Sequence, residues 1–168
     1  AKRSVGISQG LRAAREELSL LLEEYSLLKH QEQRIMALVE ELLSKIPACR
    51  ELLKIKGIGL VTAAGFLSEV GDITRFDSPK QVQKYAGLNL KENSSGKHKG
   101  RTTISKRGRS RLRALLFRAV MPLVAKNDEF RELHRHYTTR PENPLAKKQS
   151  LVALMCKLIR VFYAILTK

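Results

Sequence analysis

Apolar residues in the first third of the chain recur with a period of three and a half. Placing Leu11 at heptad position a puts Leu11, Leu18, Tyr25, Glu32, Val39 and Ile46 on one row and Ala14, Leu21, Leu28, Ile35 and Leu42 at d. Every one of these positions except Glu32 is apolar or aromatic, the signature of a coiled-coil seam. Ser8 is a candidate N-cap, and no proline occurs before Pro47. The pattern therefore predicts one helix from Gln9 to about Ile46, roughly 55 Å long at 1.5 Å per residue. Its use is to assemble protomers into a homo-oligomer; the alternative is a helix lying along its own domain. Met36, Leu38 and Leu43 flank the seam in its second half and predict a further packed element there. Glu32 at an a position is a register defect.

Beyond Pro47 the period changes to that of short amphipathic helices. Leu53 to Gly59 followed by an apolar run to Val70 reads as helix, hairpin with the string IKGIG, helix. This is a helix-hairpin-helix-like element over 52–71, in which Gly57 and Gly59 let backbone N–H groups approach a phosphate, with Lys54 and Lys56 beside them. The same glycines would equally serve a turn that packs two helices closely. Asp77 or Ser78 caps a helix with Pro79 near its first turn, and Gly87 stops it. Residues 91–108 form a basic serine loop, the one place for a short strand or hairpin. Ser105 or Gly108 then opens the helix SRLRALLFRAVMPLVAK, kinked late by Pro122, with Leu112, Leu115, Leu116, Ala119, Val120 and Leu123 as its buried stripe. Asp128 to about Thr138 and Leu145 to Leu166 complete an all-α fold. The long helix occupies 1–47, and a compact helical domain occupies 48–168.

Charge places the partner. Residues 1–50 carry eight Lys/Arg and seven Asp/Glu, so nearly all of the net +16 falls on the remainder. Nothing acidic occurs between Asn93 and Asn127, whereas ten Lys or Arg do, among them Lys97, Lys99, Arg101, Lys106, Arg107, Arg109 and Arg113. Such a footprint calls for a polyanion, and double-stranded DNA is the first candidate. Aromatic residues make up 5% and tryptophan is absent, which argues against a stacking platform for single strands. The closing apolar stretch is broken by Lys157 and Arg160, so it reads as a core helix and predicts no membrane partner. Cys49 and Cys156 share no metal-binding or CxxC spacing and read as buried thiols of a reducing cytoplasm.

Ser94 and Ser95, between Asn93 and Gly96, are the candidate nucleophiles in an electropositive setting. A serine hydroxyl attacks phosphorus when it is oriented and when cations stabilise the developing charge, here Lys97, Lys99, Arg101 and Lys106. Gly96 and Gly100 let backbone come close to the phosphate. Carboxylates in the basic region are few and isolated, and no metal-binding set or other cofactor site is expected on this chain.

These residues together resemble the transposases of the IS110, IS116 and IS902 type. The string from Ile55 to Val120 carries the GIG hairpin, a helix ending Y-A-G-L at Tyr85 to Leu88, the S-G-x-x-x-G loop and the helix start I-S-K-x-G-x-x-x-L-R at Ile104 to Arg113. The resemblance covers about Leu52 to Lys168, and the upstream helix matches the segment that joins the family's two conserved domains. It implies a DNA transposase or recombinase of an insertion sequence, with an N-terminal RuvC-like domain holding Mg²⁺ on a DEDD carboxylate set. The domain seen here then contributes the serine that forms a phosphoserine intermediate during strand cleavage and transfer. That serine falls on Ser95, with Ser94 as the fallback, and Gly96, Gly100, Ser105, Lys106, Gly108, Leu112 and Arg113 match the same motif. A structured guide RNA and a prokaryotic cytoplasmic, nucleoid-associated location are implied too. No counterpart of the RuvC-like domain is present in this sequence, which starts at Ala1 without a methionine and so reads as a fragment inactive alone. The competing reading is a non-catalytic helix-hairpin-helix module that grips nucleic acid by its backbone.

Overall fold

The computed structural model describes residues 10–91, the backbone of 94–95 and 98–99, and residues 102–168. The chain divides into two units, residues 1–42 and 43–168.

The first unit is built on α1, a continuous helix over Leu11–Ser44. Gly10 precedes it, and the expected cap Ser8 lies outside the described residues. Most of its heptad residues are open to solvent, Leu18 being 57% exposed, Tyr25 62% and Ile35 60%, whereas Val39 is half-buried. These exposed apolar side chains are not covered by other described residues.

In the second unit, Pro47 does more than end α1. It opens a short helix α2 (Pro47–Leu53), where a missing N–H costs nothing because the first turn has no acceptor for it. A turn then leads into α3 (Leu60–Val70). The stretch after it holds a single 3-10 turn over Ile73–Arg75, started by Asp72, whose carboxylate accepts from the Thr74 N–H at 2.9 Å. Next comes α4 (Pro79–Tyr85). Ser78 sits at its N-cap without a side-chain bond, and the capping falls to Asp77 and Gln81, whose side chains and backbone exchange two hydrogen bonds.

The all-α expectation needs a correction at the serine loop, which contains short strands. β1 (Leu90–Lys91) pairs antiparallel with β4 (Thr103–Ile104), and β2 (Ser94–Ser95) pairs with β3 (His98–Lys99). The remainder of the unit is helical: α5 (Ser110–Lys126), α6 (Asp128–Thr139) and α7 (Lys147–Leu166). α5 covers the predicted string SRLRALLFRAVMPLVAK in full, but Arg109 rather than Ser105 or Gly108 stands at its N-cap, because the segment before it is tied by hydrogen bonds to the end of α4. It then continues through Pro122 to Lys126. Its final carbonyls are met by Arg131, which donates to Ala125 O at 2.6 Å and to Val124 O at 3.4 Å.

α7 is the centre of the core and packs on α2, α4, α5 and α6. By length and composition it qualifies as a membrane span. Yet Leu154, Met155, Leu158, Ile159 and Phe162 are all but fully buried by the neighbouring helices, which makes it a core helix. Phe162 meets Phe66 of α3 edge-on at 4.8 Å between ring centres. α3 lies close to α5, since Leu115 occupies the space that a side chain at Gly65 would need. Ser150 is fully buried but satisfied, its hydroxyl 2.9 Å from His134 Nδ1.

Candidate nucleic-acid interface

The base of the serine loop is fastened to the C-terminal end of α4. That helix ends in a Schellman turn: Gly87 adopts φ +72°, its N–H reaches Lys84 O, and the Leu88 N–H reaches Gln83 O. The carbonyls left over are taken by the segment after β4. Arg109 N–H donates to Tyr85 O at 2.8 Å, Lys106 N–H to Gly87 O at 3.0 Å, and Ser105 N–H to Asn89 O at 2.8 Å. Ser105 Oγ donates to Asn89 Oδ1 at 2.6 Å, and Arg113 Nη1 donates to Ala86 O at 2.9 Å. Gly108 has φ +150° and lies so close that a Cβ there would stand 2.3 Å from Tyr85 O. The Y-A-G-L and S-K-x-G-x-x-x-L-R strings are thus two halves of one hydrogen-bonded clamp from which the hairpin projects.

Beside the clamp, Tyr85 gathers charge. Its ring lies 5.0 Å from the Arg75 guanidinium and 5.7 Å from that of Arg109, and it tilts against Phe76. Arg109 Nε donates to the phenol oxygen at 2.7 Å. That bond, with Arg75 alongside, holds the phenol below its ordinary ionisation range. Glu69 Oε2 sits 4.0 Å from Arg109 Nε and has no hydrogen bond. Sequence reasoning missed Arg75 and Glu69 here, and took Tyr85 only as the first residue of the Y-A-G-L string. Their separation along the chain left no signal beyond Tyr85's place in the Y-A-G-L string.

The candidate binding residues therefore fall into groups. Ser105, Gly108, Arg109 and Arg113 belong to the clamp or to the Tyr85 cluster, while Lys106 and Arg107 are exposed beside them. Lys106 has φ +56°. Ser94 and Ser95 form β2, with Ser94 opposite Lys99 and Ser95 opposite His98 in the backbone register. Gly96, Lys97, Gly100 and Arg101 lie outside the described residues.

The IKGIG turn separates its two glycines. Gly57 (φ +103°) packs against α5, with Leu123 Cα and Pro122 O only 3.1 and 3.2 Å from where a Cβ would be, so it serves close packing. Gly59 is exposed at the N-cap of α3, has open space around it, and leaves the helix start without a side-chain cap. Lys56 is exposed nearby. Lys54 is paired with Glu51 at 2.6 Å, and both are well exposed. An exposed pair of this kind is weak, and a phosphate can displace the carboxylate.

Among the described residues no three His, Cys, Asp or Glu side chains converge as a cation site would require. Cys49 and Cys156 are free, and burial raises both thiols above their ordinary range, away from the reactive thiolate.

The end of α4 and the segment after β4 thus form one hydrogen-bonded base for the short strands between them in a mostly helical domain. The sequence matches the profile of the transposase IS116/IS110/IS902 family over residues 49–135, and the chain belongs to that family. The motifs from Ile55 to Arg113 all lie within the matched span. Among its relatives is a putative transposase of Sinorhizobium fredii, 45% identical over 62 residues, or 37% of this chain and 16% of that protein. A probable family 20 transposase of Pseudomonas aeruginosa is 32% identical over 71% of this chain and 35% of its own. The pilin gene-inverting protein of Moraxella bovis is 30% identical over 92% of this chain and 51% of its own. The chain thus spans about half the length, or less, of these curated relatives.

Proposed function

We propose that this chain is the DNA-binding, serine-bearing part of an insertion-sequence transposase, with Ser95 as the nucleophile and Ser94 as the fallback. The observation that supports it is the clamp: residues matching the family motif hold the ends of the hairpin whose backbone carries Ser94 and Ser95, so a serine there would be presented from a fixed base. In the reaction the serine Oγ attacks a phosphodiester phosphorus. The Oγ–P bond forms, the bond from phosphorus to one sugar oxygen breaks, and the hydroxyl proton ends on that departing oxygen. Lys106 and Arg107 offset the charge that grows on the phosphoryl oxygens. A second backbone contact comes from the exposed start of α3 at Gly59, with Lys54 and Lys56, used as a helix-hairpin-helix element. The full-length transposase carries the Mg²⁺-dependent carboxylates in a RuvC-like domain, works in the cytoplasm on nucleoid DNA, and takes its target choice from a structured guide RNA. The long helix joins copies of the chain.

The test is Ser95→Ala in the full-length transposase. Strand transfer and the covalent protein–DNA adduct are expected to vanish while DNA affinity changes by less than about twofold. An adduct that persists in Ser95→Ala and is lost in Ser94→Ala moves the nucleophile to the fallback. If neither substitution affects the adduct, or none forms in the unsubstituted protein, the chain is instead a non-catalytic helix-hairpin-helix binding module.

A further inference from the structure

Two features of α1 conflict if the helix is read as an ordinary parallel coiled coil. Among the described residues its seam is long and largely solvent-exposed, with Leu11, Leu21, Leu28 and Leu42 each about half exposed or more. Four and a half heptads over residues 11–42 exceed the length at which a heptad pattern supports a stable coil. But Glu32 interrupts the a row. In a parallel, in-register pair every a residue faces its own copy, so two Glu32 carboxylates would meet inside an apolar seam. Burying like charges face to face is costly.

We infer that α1 pairs with α1 of a second copy of this chain in antiparallel orientation, with register centred between Ser26 and Leu27. This rests on the reading that the long helix joins copies of the chain, and it names their geometry. In antiparallel coils a residues face d residues. With this centre every a residue from 11 to 39 finds a d partner: Leu11 faces the partner's Leu42, Ala14 the partner's Val39, Leu18 the partner's Ile35, and Tyr25 the partner's Leu28. Glu32 falls opposite the partner's Leu21, from where its carboxylate reaches the edge of the seam, and no like charges meet. The flanks agree. Glu17 lies nearest the partner's Leu38, Glu24 the partner's Gln31, Arg15 the partner's Met36, and Leu22 the stem of the partner's Lys29. Shifting by one heptad, so that Leu11 faces the partner's Ile35, puts Val39 and Leu42 opposite no residue of the partner's Leu11–Ser44 helix.

The geometry has a functional consequence. Antiparallel pairing places the two Leu42 residues about 45 Å apart along the rod at 1.5 Å per residue, whereas parallel pairing brings them within about 10 Å. The two basic units then start from opposite ends of one spacer, which suits gripping two separate DNA segments.

The experiment co-expresses the full chain as Leu11→Cys and Leu42→Cys variants, both at exposed positions. After mild oxidation the disulfides are mapped by mass spectrometry, and the mass of the assembly is measured by sedimentation. A dimer cross-linked between positions 11 and 42 is the expected result. A dimer cross-linked 11 to 11 or 42 to 42, or cross-linked at neither pair, overturns the antiparallel arrangement while leaving self-association intact. A monomer at tens of micromolar overturns self-association itself, and with it this inference.

Discussion

Gly108 shows how little freedom the base of the serine loop has. Its backbone is in a region that L side chains avoid, and any Cβ would collide with the Tyr85 carbonyl at 2.3 Å, an atom already engaged by the Arg109 N–H. Steric overlap with rigid backbone and conformational strain act together, and each is worth roughly 1–3 kcal/mol. Gly108→Ala is therefore expected to destabilise the 43–168 unit by about 3 kcal/mol or more, read as a lowered denaturation midpoint at unchanged slope. Gly59→Ala is the control at an open position, and its midpoint should move by less than a third as much. Equal shifts for the two would mean that the clamp is loose.

The elements that meet at the clamp explain why arginines of similar appearance should behave differently. Arg113 lies in the first turn of α5 and donates to Ala86 O, so it ties α5 to the end of α4. Arg111 is exposed on the same turn. Losing a charged hydrogen bond to a part-buried carbonyl costs about 1.5–3 kcal/mol. Arg113→Ala should therefore lower thermal stability clearly, with DNA affinity falling as a consequence of the loosened loop. Arg111→Ala should leave the melting temperature within about a degree and weaken binding directly. Measuring melting and affinity on the same two variants separates a structural arginine from a phosphate-binding one, and the reverse assignment would show that Arg113 is free to leave the clamp when DNA binds.

At the scale of the whole molecule, charge and seam are divided between the two units. The long helix is close to neutral and apolar along its exposed seam, while the whole of the net positive charge falls on the second unit. Binding by the second unit should accordingly be dominated by release of counterions from DNA. The logarithm of affinity is expected to fall linearly with the logarithm of salt concentration, at about −0.9 per phosphate contact on duplex DNA. Arg111→Ala should reduce the magnitude of that slope by about one unit. A slope near zero would contradict the proposed interface, because no polyanion contact built on lysine and arginine escapes this dependence.

The sequence by itself determined most of the elements and the family. The heptad period of α1, the helices around Pro79 and Asp128, and the apolar face of α7 were all legible, since each depends on residues a few positions apart. The family was legible for the same reason, because its motifs are short strings in a fixed order. Tertiary structure alone decided what those strings do. Whether a glycine lines a ligand or lets two helices touch depends on what stands across from it: Gly57 meets α5, and Gly59 meets open space. Arg109 rather than Ser105 or Gly108 opens α5 because carbonyls at the end of α4, some twenty residues earlier, engage the backbone N–H groups of Ser105, Lys106 and Arg109. Arg75, Glu69, Tyr85 and Arg109 come together across forty residues of sequence, a distance over which no periodicity carries information. Local patterns report local backbone preference, whereas a site is made by contacts between segments that only folding brings together.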